Sequence, residues 1–496
     1  MHLLLKILLL FQGFCFAFGF RDFNLGRSKG GNIGSPPLIN LDEEVPEPKL
    51  FDQIVDHSDP SNKDSYKQRY FVNEKYFSKN APATVFLMLG GEGRFDARWM
   101  ITGAWIDYAK NFNALCFGLE HRFYGDSHPT KDVSTKNLQY LTTIQALKDV
   151  ANFITEMNQA YKLAKDTKWV VFGGSYSGSL AAWMRLKFPH LVHAAVSSSG
   201  PLLAVADFRE YYKIVVKALH EKTGSNKCQQ QITKAHLEIK ALMSAEPETL
   251  ERDFKVCQKF SESTTNDIKN FYNIIAENFA DLVQYNEDNR IGSDENSRNI
   301  TINTVCGLMT IPVNIPAYKR LAKFNAMMLK KNNQTCMDYS YDNMITELRK
   351  TSWGKDEARQ WMYQTCTEFG FFQTSSAEYK IFGNEFELDF FIQQCQDVFG
   401  KKYDKKFLQN SIDWTNTEYG GLNYTVNHVI FVQGTIDPWH ALGITYSNNP
   451  IDMPALYIKG TAHCANMYPA RDSDLPDLKQ ARTTIAQHLR LWLQHP

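Results

Sequence analysis

Lys168-Trp169-Val170-Val171-Phe172 runs into Gly173-Gly174-Ser175-Tyr176-Ser177-Gly178, and Leu180-Ala181-Ala182-Trp183-Met184-Arg185-Leu186-Lys187-Phe188 follows before Pro189. The first run is apolar and β-branched, the last has the composition of a helix, and small residues lie between them. Strand, glycine turn, serine, helix is the context of a nucleophile elbow, where a sharp turn exposes a serine hydroxyl at a sheet edge. The usual pattern has glycine two places after the serine; here Ser177 stands there and Gly178 follows. A plain strand-to-helix turn with Ser175 as the helix N-cap is the competing reading.

Similar short apolar runs flank the elbow. Thr84 to Leu89 ends at Gly90-Gly91-Glu92-Gly93, and Ala114 to Leu119 ends at Glu120-His121-Arg122-Phe123-Tyr124-Gly125. His193 to Ser197 runs into Ser198-Ser199-Gly200-Pro201. Such runs mark strands buried on both faces. Ile144, Leu147, Val150, Ile154, Met157 and Tyr161 form one helical stripe between them. A tyrosine-rich stretch, Tyr66 to Phe77, favours early antiparallel strands. The alternation predicts a mostly parallel sheet covered on both faces, with its functional loops at the carboxyl ends of the strands. Over residues 204–400 the strand runs stop and helical patterns take over, as in Phe208 to Lys222 and Ile232 to Leu242; this reads as a mainly helical insertion. The sheet pattern returns at His428 to Gln433, ending at Gly434-Thr435-Ile436-Asp437-Pro438-Trp439, and at Ala455 to Lys459, ending at Gly460-Thr461-Ala462-His463. An amphipathic helix with Ala481, Ile485, Leu489 and Trp492 closes the chain.

Hydrophobic content of 43% and charged content of 22% over 496 residues are those of a large folded protein. A net charge of zero gives no general pull towards nucleic acid or anionic membranes. Ile7 to Phe20 is almost wholly apolar, with small residues at Ala17 and Gly19, so residues 1–20 read as a secretory signal. Residues 21–50 read as a mobile or propeptide-like lead. No later run has the roughly 18 apolar residues of a membrane helix, so no stable membrane insertion is expected. Cys228, Cys257, Cys306, Cys336, Cys366 and Cys395 cluster in the helical region, which suggests three disulfides without fixing their pairing. Sequons at Asn299, Asn333 and Asn423 allow glycosylation. His and Cys spacing suits no zinc site, no phosphate loop follows the glycines, and no metal or other cofactor is expected. Nothing marks an oligomeric interface, so a homodimer stays open.

Ser175, Asp437 and His463 each follow a predicted buried strand, and serine, aspartate, histidine is the chain order of the α/β-hydrolases. A serine hydroxyl needs an imidazole to take its proton, and the imidazole needs a carboxylate to fix its tautomer. The three in this order favour the catalytic reading of the elbow. An oxyanion hole needs two N–H donors; Tyr176 after the nucleophile and Gly91 in the first glycine loop are the candidates.

The elbow, Glu120 to Gly125, Tyr363-Gln364-Thr365-Cys366-Thr367-Glu368 and Asp437-Pro438-Trp439 together resemble the S28 family of serine peptidases. The resemblance covers essentially the whole chain after the signal. It implies an α/β-hydrolase fold, with residues 51–203 and 401–496 as its two parts and the family's helical SKS cap inserted at 204–400. It implies the triad already reached from the residues, and the pairs Cys228–Cys306, Cys257–Cys336 and Cys366–Cys395. It implies a secreted or lysosomal exopeptidase acting on peptides near proline or small residues. Trp439 matches a tryptophan lining the proline slot, whereas Ser179 stands where proline-specific relatives carry methionine, a departure that loosens that preference. Glu92, Glu120 and Arg122 are candidates for holding the substrate's charged end. Two other classes share parts of this pattern: an esterase or lipase with the same triad, and a non-catalytic binding protein on a hydrolase scaffold.

Overall fold

The computed structural model describes residues 23–28, 31–37, 43–78, 83–287, 300–311, 314–354, 356–376, 378 and 380–494. The expected signal at 1–20 and the sequon at Asn299 lie outside the described residues. The strands are, in chain order, β1 (Phe23–Asn24), β2 (Arg27–Ser28), β3 (Lys49–Ile54), β4 (Ser65–Asn73), β5 (Thr84–Leu89), β6 (Leu115–Leu119), β7 (Lys168–Gly174), β8 (Ala194–Ser198), β9 (Val205–Asp207), β10 (Gly370–Phe372), β11 (Val429–Gly434) and β12 (Ala455–Ile458).

Eight of them form one sheet in the order β3-β4-β6-β5-β7-β8-β11-β12. β4 pairs antiparallel with β3 and β6, and every other pairing is parallel. One antiparallel strand near the start, a crossover between β5 and β6, and a parallel remainder make the α/β-hydrolase fold. β6, β8 and β11 are buried along their whole length, which is why they read as short, mostly apolar runs without polar alternation. Alternate residues serve opposite faces: Val85 and Leu87 enter one apolar core, Phe86 and Met88 the other.

After β8 the chain builds the cap. Its helices include Glu210–Thr223, Lys227–Ala245, Thr265–Gln284, Ala317–Lys331 and Leu388–Phe399. Thr265–Gln284 starts from a capping box in which Thr264 and Asp267 satisfy each other's backbone N–H. Ile275 and Phe279 of this helix share one core with Val171 and Leu180, so the cap is packed onto the sheet rather than tethered to it. Disulfides Cys228–Cys306, Cys257–Cys336 and Cys366–Cys395 staple it, and Cys116 and Cys464 remain free and buried.

Two details differ from the sequence reading. The helical run continues past residue 400 through Lys405–Tyr419 before the sheet resumes at β11, and the cap holds a short parallel pair, β9 with β10. The second was hidden because a strand of three residues is too short to show a period. Among the described residues no helix is long and apolar enough to cross a membrane. Asn333 and Asn423 lie exposed.

Candidate active site

Ser175 leaves β7 with φ 57 and ψ −132, a conformation that costs a side-chain-bearing residue energy and that functional sites retain. The glycines make it possible. A Cβ at Gly173 would meet the Ser177 carbonyl oxygen at 2.0 Å, and one at Gly178 would meet the Ser198 carbonyl oxygen at 2.7 Å. Ser177 fits where glycine is usual because its Oγ turns back, donating to the Gly174 carbonyl at 2.8 Å and accepting the Gly174 N–H at 3.1 Å.

Asp437 and His463 sit in the loops that follow β11 and β12, at the same sheet edge. His463 Nδ1 lies 2.9 Å from each carboxylate oxygen of Asp437, and both side chains are fully buried. Burial works against a charged imidazole here, but the Asp437 carboxylate outweighs it, so the His463 pKa is raised. Its other nitrogen, Nε2, is buried and has no hydrogen-bond partner. The chain returns to the elbow at the next residue: Cys464 Sγ and the Ser175 N–H both reach the Ser198 carbonyl, at 3.8 and 2.9 Å.

Three motifs converge on the ring of Tyr176, the first residue of the helix Tyr176–Lys187. Its hydroxyl accepts from Gln364 Nε2 at 3.0 Å and lies 3.1 Å from His121 Nε2, while Tyr124 donates to Gln364 Oε1 at 2.6 Å. His121 Nδ1 is 2.6 Å from the Arg122 carbonyl, so Nδ1 carries the proton and Nε2 receives the tyrosine's. Burial holds His121 down at about 4, hence neutral. Gly91 faces the same turn: a Cβ on it would stand 3.6 Å from the Ser177 nitrogen. In the same loop Glu92 is 1% exposed, with its carboxyl pKa raised by burial, and its Oε2 has no partner.

The other candidates are placed differently. Glu120 is engaged by Arg69, by the N–H groups of Phe95 (3.0 Å) and Asp126 (2.9 Å), and by Ser127 Oγ (2.9 Å). Arg122 is held by Asp149 through two contacts of 2.6 Å and by the carbonyls of Ile54, Val55 and Tyr140. These internal partners account for both side chains and leave neither to hold a substrate's charged end. Ser179 Oγ donates to the Pro201 carbonyl at 2.7 Å. Trp439 is buried among Phe208, Tyr211 and Phe371, its ring 6.4 Å from that of His463.

Two groups at the site carried no signal in the sequence. Gln284, the last residue of Thr265–Gln284, receives the His463 N–H at 3.0 Å on its carbonyl, and Trp439 Nε1 (2.8 Å) and Tyr211 OH (2.7 Å) on its side chain. The other is Asn32, in the lead segment that reads as mobile or propeptide-like without any one residue standing out. The described residues of that segment enter the site, and Asn32 Nδ2 donates to Ser175 Oγ at 3.1 Å.

The serine carboxypeptidase S28 family matches residues 53–485. Thymus-specific serine protease of Mus musculus is 33% identical over 461 residues, 91% of this chain and 88% of that protein. Lysosomal Pro-X carboxypeptidase of Homo sapiens is 27% identical over 456 residues, 90% of this chain and 88% of that protein. Among solved structures, proline iminopeptidase of Mycobacterium smegmatis aligns with 90% of this chain and 99% of its own at 11% identity and a TM-score of 0.39. The chain belongs to the serine carboxypeptidase S28 family and is a serine peptidase.

Proposed function

We propose that the protein is a secretory-pathway or lysosomal exopeptidase that trims peptides near proline or small residues through an acyl-enzyme on Ser175. One observation carries the reading: His463 is fixed by Asp437 through Nδ1 with its buried Nε2 unspent, and the next residue, Cys464, reaches the same Ser198 carbonyl as the N–H of the strained elbow serine. Ser175 Oγ attacks the scissile carbonyl, and His463 Nε2 takes the hydroxyl proton. Asp437 stabilises the imidazolium without taking a proton itself. The carbonyl oxygen, now an anion, is received by the backbone N–H groups of Tyr176 and Gly91. His463 gives its proton to the leaving amine, and water then hydrolyses the ester by the same route in reverse.

The aromatic wall of Trp439, Phe208, Tyr211 and Phe371 suits a flat, apolar ring on the acyl side of the bond. Lysosomal Pro-X carboxypeptidase carries that preference in its name. Three disulfides and the exposed sequons at Asn333 and Asn423 favour an oxidising compartment. Glu92, buried and with one oxygen unpartnered, is the candidate for a substrate's charged end. The test is a panel of Xaa-Pro dipeptidyl, Pro-Xaa and ester substrates with Ser175→Ala as the blank. Peptide release that vanishes in Ser175→Ala is expected; ester cleavage without any peptide cleavage would reject the peptidase assignment.

A further inference from the structure

We propose that residues 23–28 and 31–37 form an inhibitory strap that fills the substrate cleft, and that the enzyme becomes active when the strap leaves. The inference rests on the Ser175 reading above. β1 and β2 make a hairpin whose tip, Leu25 and Gly26, has positive φ at both residues (50 and 67), as a tight two-residue turn of this hand requires. The tip is buried deep. Leu25 is 4% exposed and sits in the core shared by sheet and cap; its carbonyl accepts from Trp361 Nε1 at 3.2 Å. Gly26 lies against the proposed aromatic slot, since a Cβ there would stand 2.6 Å from the Trp439 ring.

Two side chains lock the strap. Arg27, 4% exposed, places its guanidinium 3.0 Å from Glu357 Oε2 and 3.6 Å from Asp356 Oδ1, and its Nε donates to the Glu92 carbonyl at 2.7 Å. Asn32, 1% exposed, spends its backbone N–H and both ends of its side-chain amide inside the site. Its N–H donates to Glu92 Oε1 at 2.7 Å, its Oδ1 accepts from Tyr285 OH at 2.7 Å, and its Nδ2 donates to Ser175 Oγ. That last bond engages a lone pair of the oxygen that must attack, and it puts an amide nitrogen 3.1 Å away, where the scissile carbonyl has to stand. Gly31 closes against Gly93 of the candidate oxyanion loop, a Cβ on it reaching 3.2 Å from the Gly93 Cα. The strap therefore covers nucleophile, oxyanion loop, buried carboxylate and aromatic slot at once.

Release is simple in outline. Glu44, Val45, Glu47 and Pro48 are exposed between the strap and β3. A separate endopeptidase hydrolyses one peptide bond there, water supplying the hydroxyl of the new carboxyl end and a hydrogen of the new amine. While joined to the body, the strap binds at an effective concentration of order millimolar; once cut, it must bind as a free peptide and dilutes away.

The experiment uses full-length protein with a site for a sequence-specific endopeptidase placed at residues 44–48, cut only after folding. The rate of fluorophosphonate labelling at Ser175 is read before the cut, after the cut and washing, and in an intact Arg27→Glu variant that sets a carboxylate against Glu357. At least a tenfold rise is expected in both treated forms. A synthetic peptide of residues 23–37 should restore the slow rate, and the Asn32→Ala peptide should do so at least tenfold less well. Equal labelling in all three forms overturns the strap alone. No labelling of any form above Ser175→Ala overturns the peptidase reading and the strap with it.

Discussion

Two aspartate–histidine contacts lie among the described residues, and they do opposite things. At the carboxyl edge of the sheet, Asp437 holds His463 by Nδ1 and leaves Nε2 unspent. Near the antiparallel edge, Asp149 meets His57 Nε2 at 2.8 Å, but it also binds Arg122 twice and accepts the Tyr66 hydroxyl at 2.9 Å. Burial disfavours the Asp149 charge, yet Arg122 and His57 overcome it and hold its pKa below the ordinary value. Both carboxylates are hidden from water. What separates them is whether the chain of bonds ends in an unsatisfied atom. The first does, and an unspent basic nitrogen is what the proposed mechanism asks of His463; the second is closed, and a closed network is a rivet.

The comparison breaks most sharply on substitution. Asp437→Asn is expected to lower kcat by roughly 10⁴-fold, the scale for removing an orienting carboxylate. Because Asp437 raises the His463 pKa, the acid limb of the pH–rate profile should also move to lower pH in that variant. Asp149→Asn should leave kcat per folded molecule unchanged but cost about 3–5 kcal/mol in urea unfolding, since Arg122 is left buried with its charge uncompensated. A slow but fully stable Asp149→Asn protein would erase the distinction drawn here.

A third buried carboxylate, Glu368, pairs with no cation among the described residues. It is held by the Thr143 N–H at 2.9 Å and the Thr143 hydroxyl at 3.1 Å, and burial raises its pKa to about 7. Between the ordinary value of 4.5 and about 7 the folded state therefore binds more protons than the unfolded chain. Stability must then fall as pH rises through that window, by at most about 3 kcal/mol. Unfolding midpoints at pH 5 and 7.5 read this slope, and Glu368→Gln should flatten it. The smallest effect is expected for His57→Gln, about 2 kcal/mol for one hydrogen bond to a charged group, with catalysis untouched.

The sheet was legible in the sequence because its central strands are buried on both faces and so appear as short apolar runs, each ending in glycine or charge. The elbow and the two partner loops were legible for the same reason: topology carries strand ends to one edge. The roles of Glu120 and Arg122 were not, because a charged residue after a strand looks the same whether it faces a cleft or an internal partner. Arg69 and Asp149, which decide the matter, come from elsewhere in the chain. Gln284 and Asn32 were invisible for a related reason. Asn32 meets Ser175 across 143 positions of sequence, and no local period records such a meeting. Nor does the sequence show the hydrogen-bonded junction of three motifs at the Tyr176 ring, though each of the three stretches stands out by itself.

The order of these parts along the chain has a consequence during synthesis. A ribosome delivers residues from the amino end, so the proposed strap emerges before the proposed nucleophile Ser175, and the proposed base His463 only with the last loop of the sheet. The cap helix whose final carbonyl positions His463 is also made before it. On the proposed roles no nascent chain carries an armed serine, and the finished one is already covered when its base arrives. Making this peptidase and arming it are then two separate events, which a cell can hold apart in time and in place.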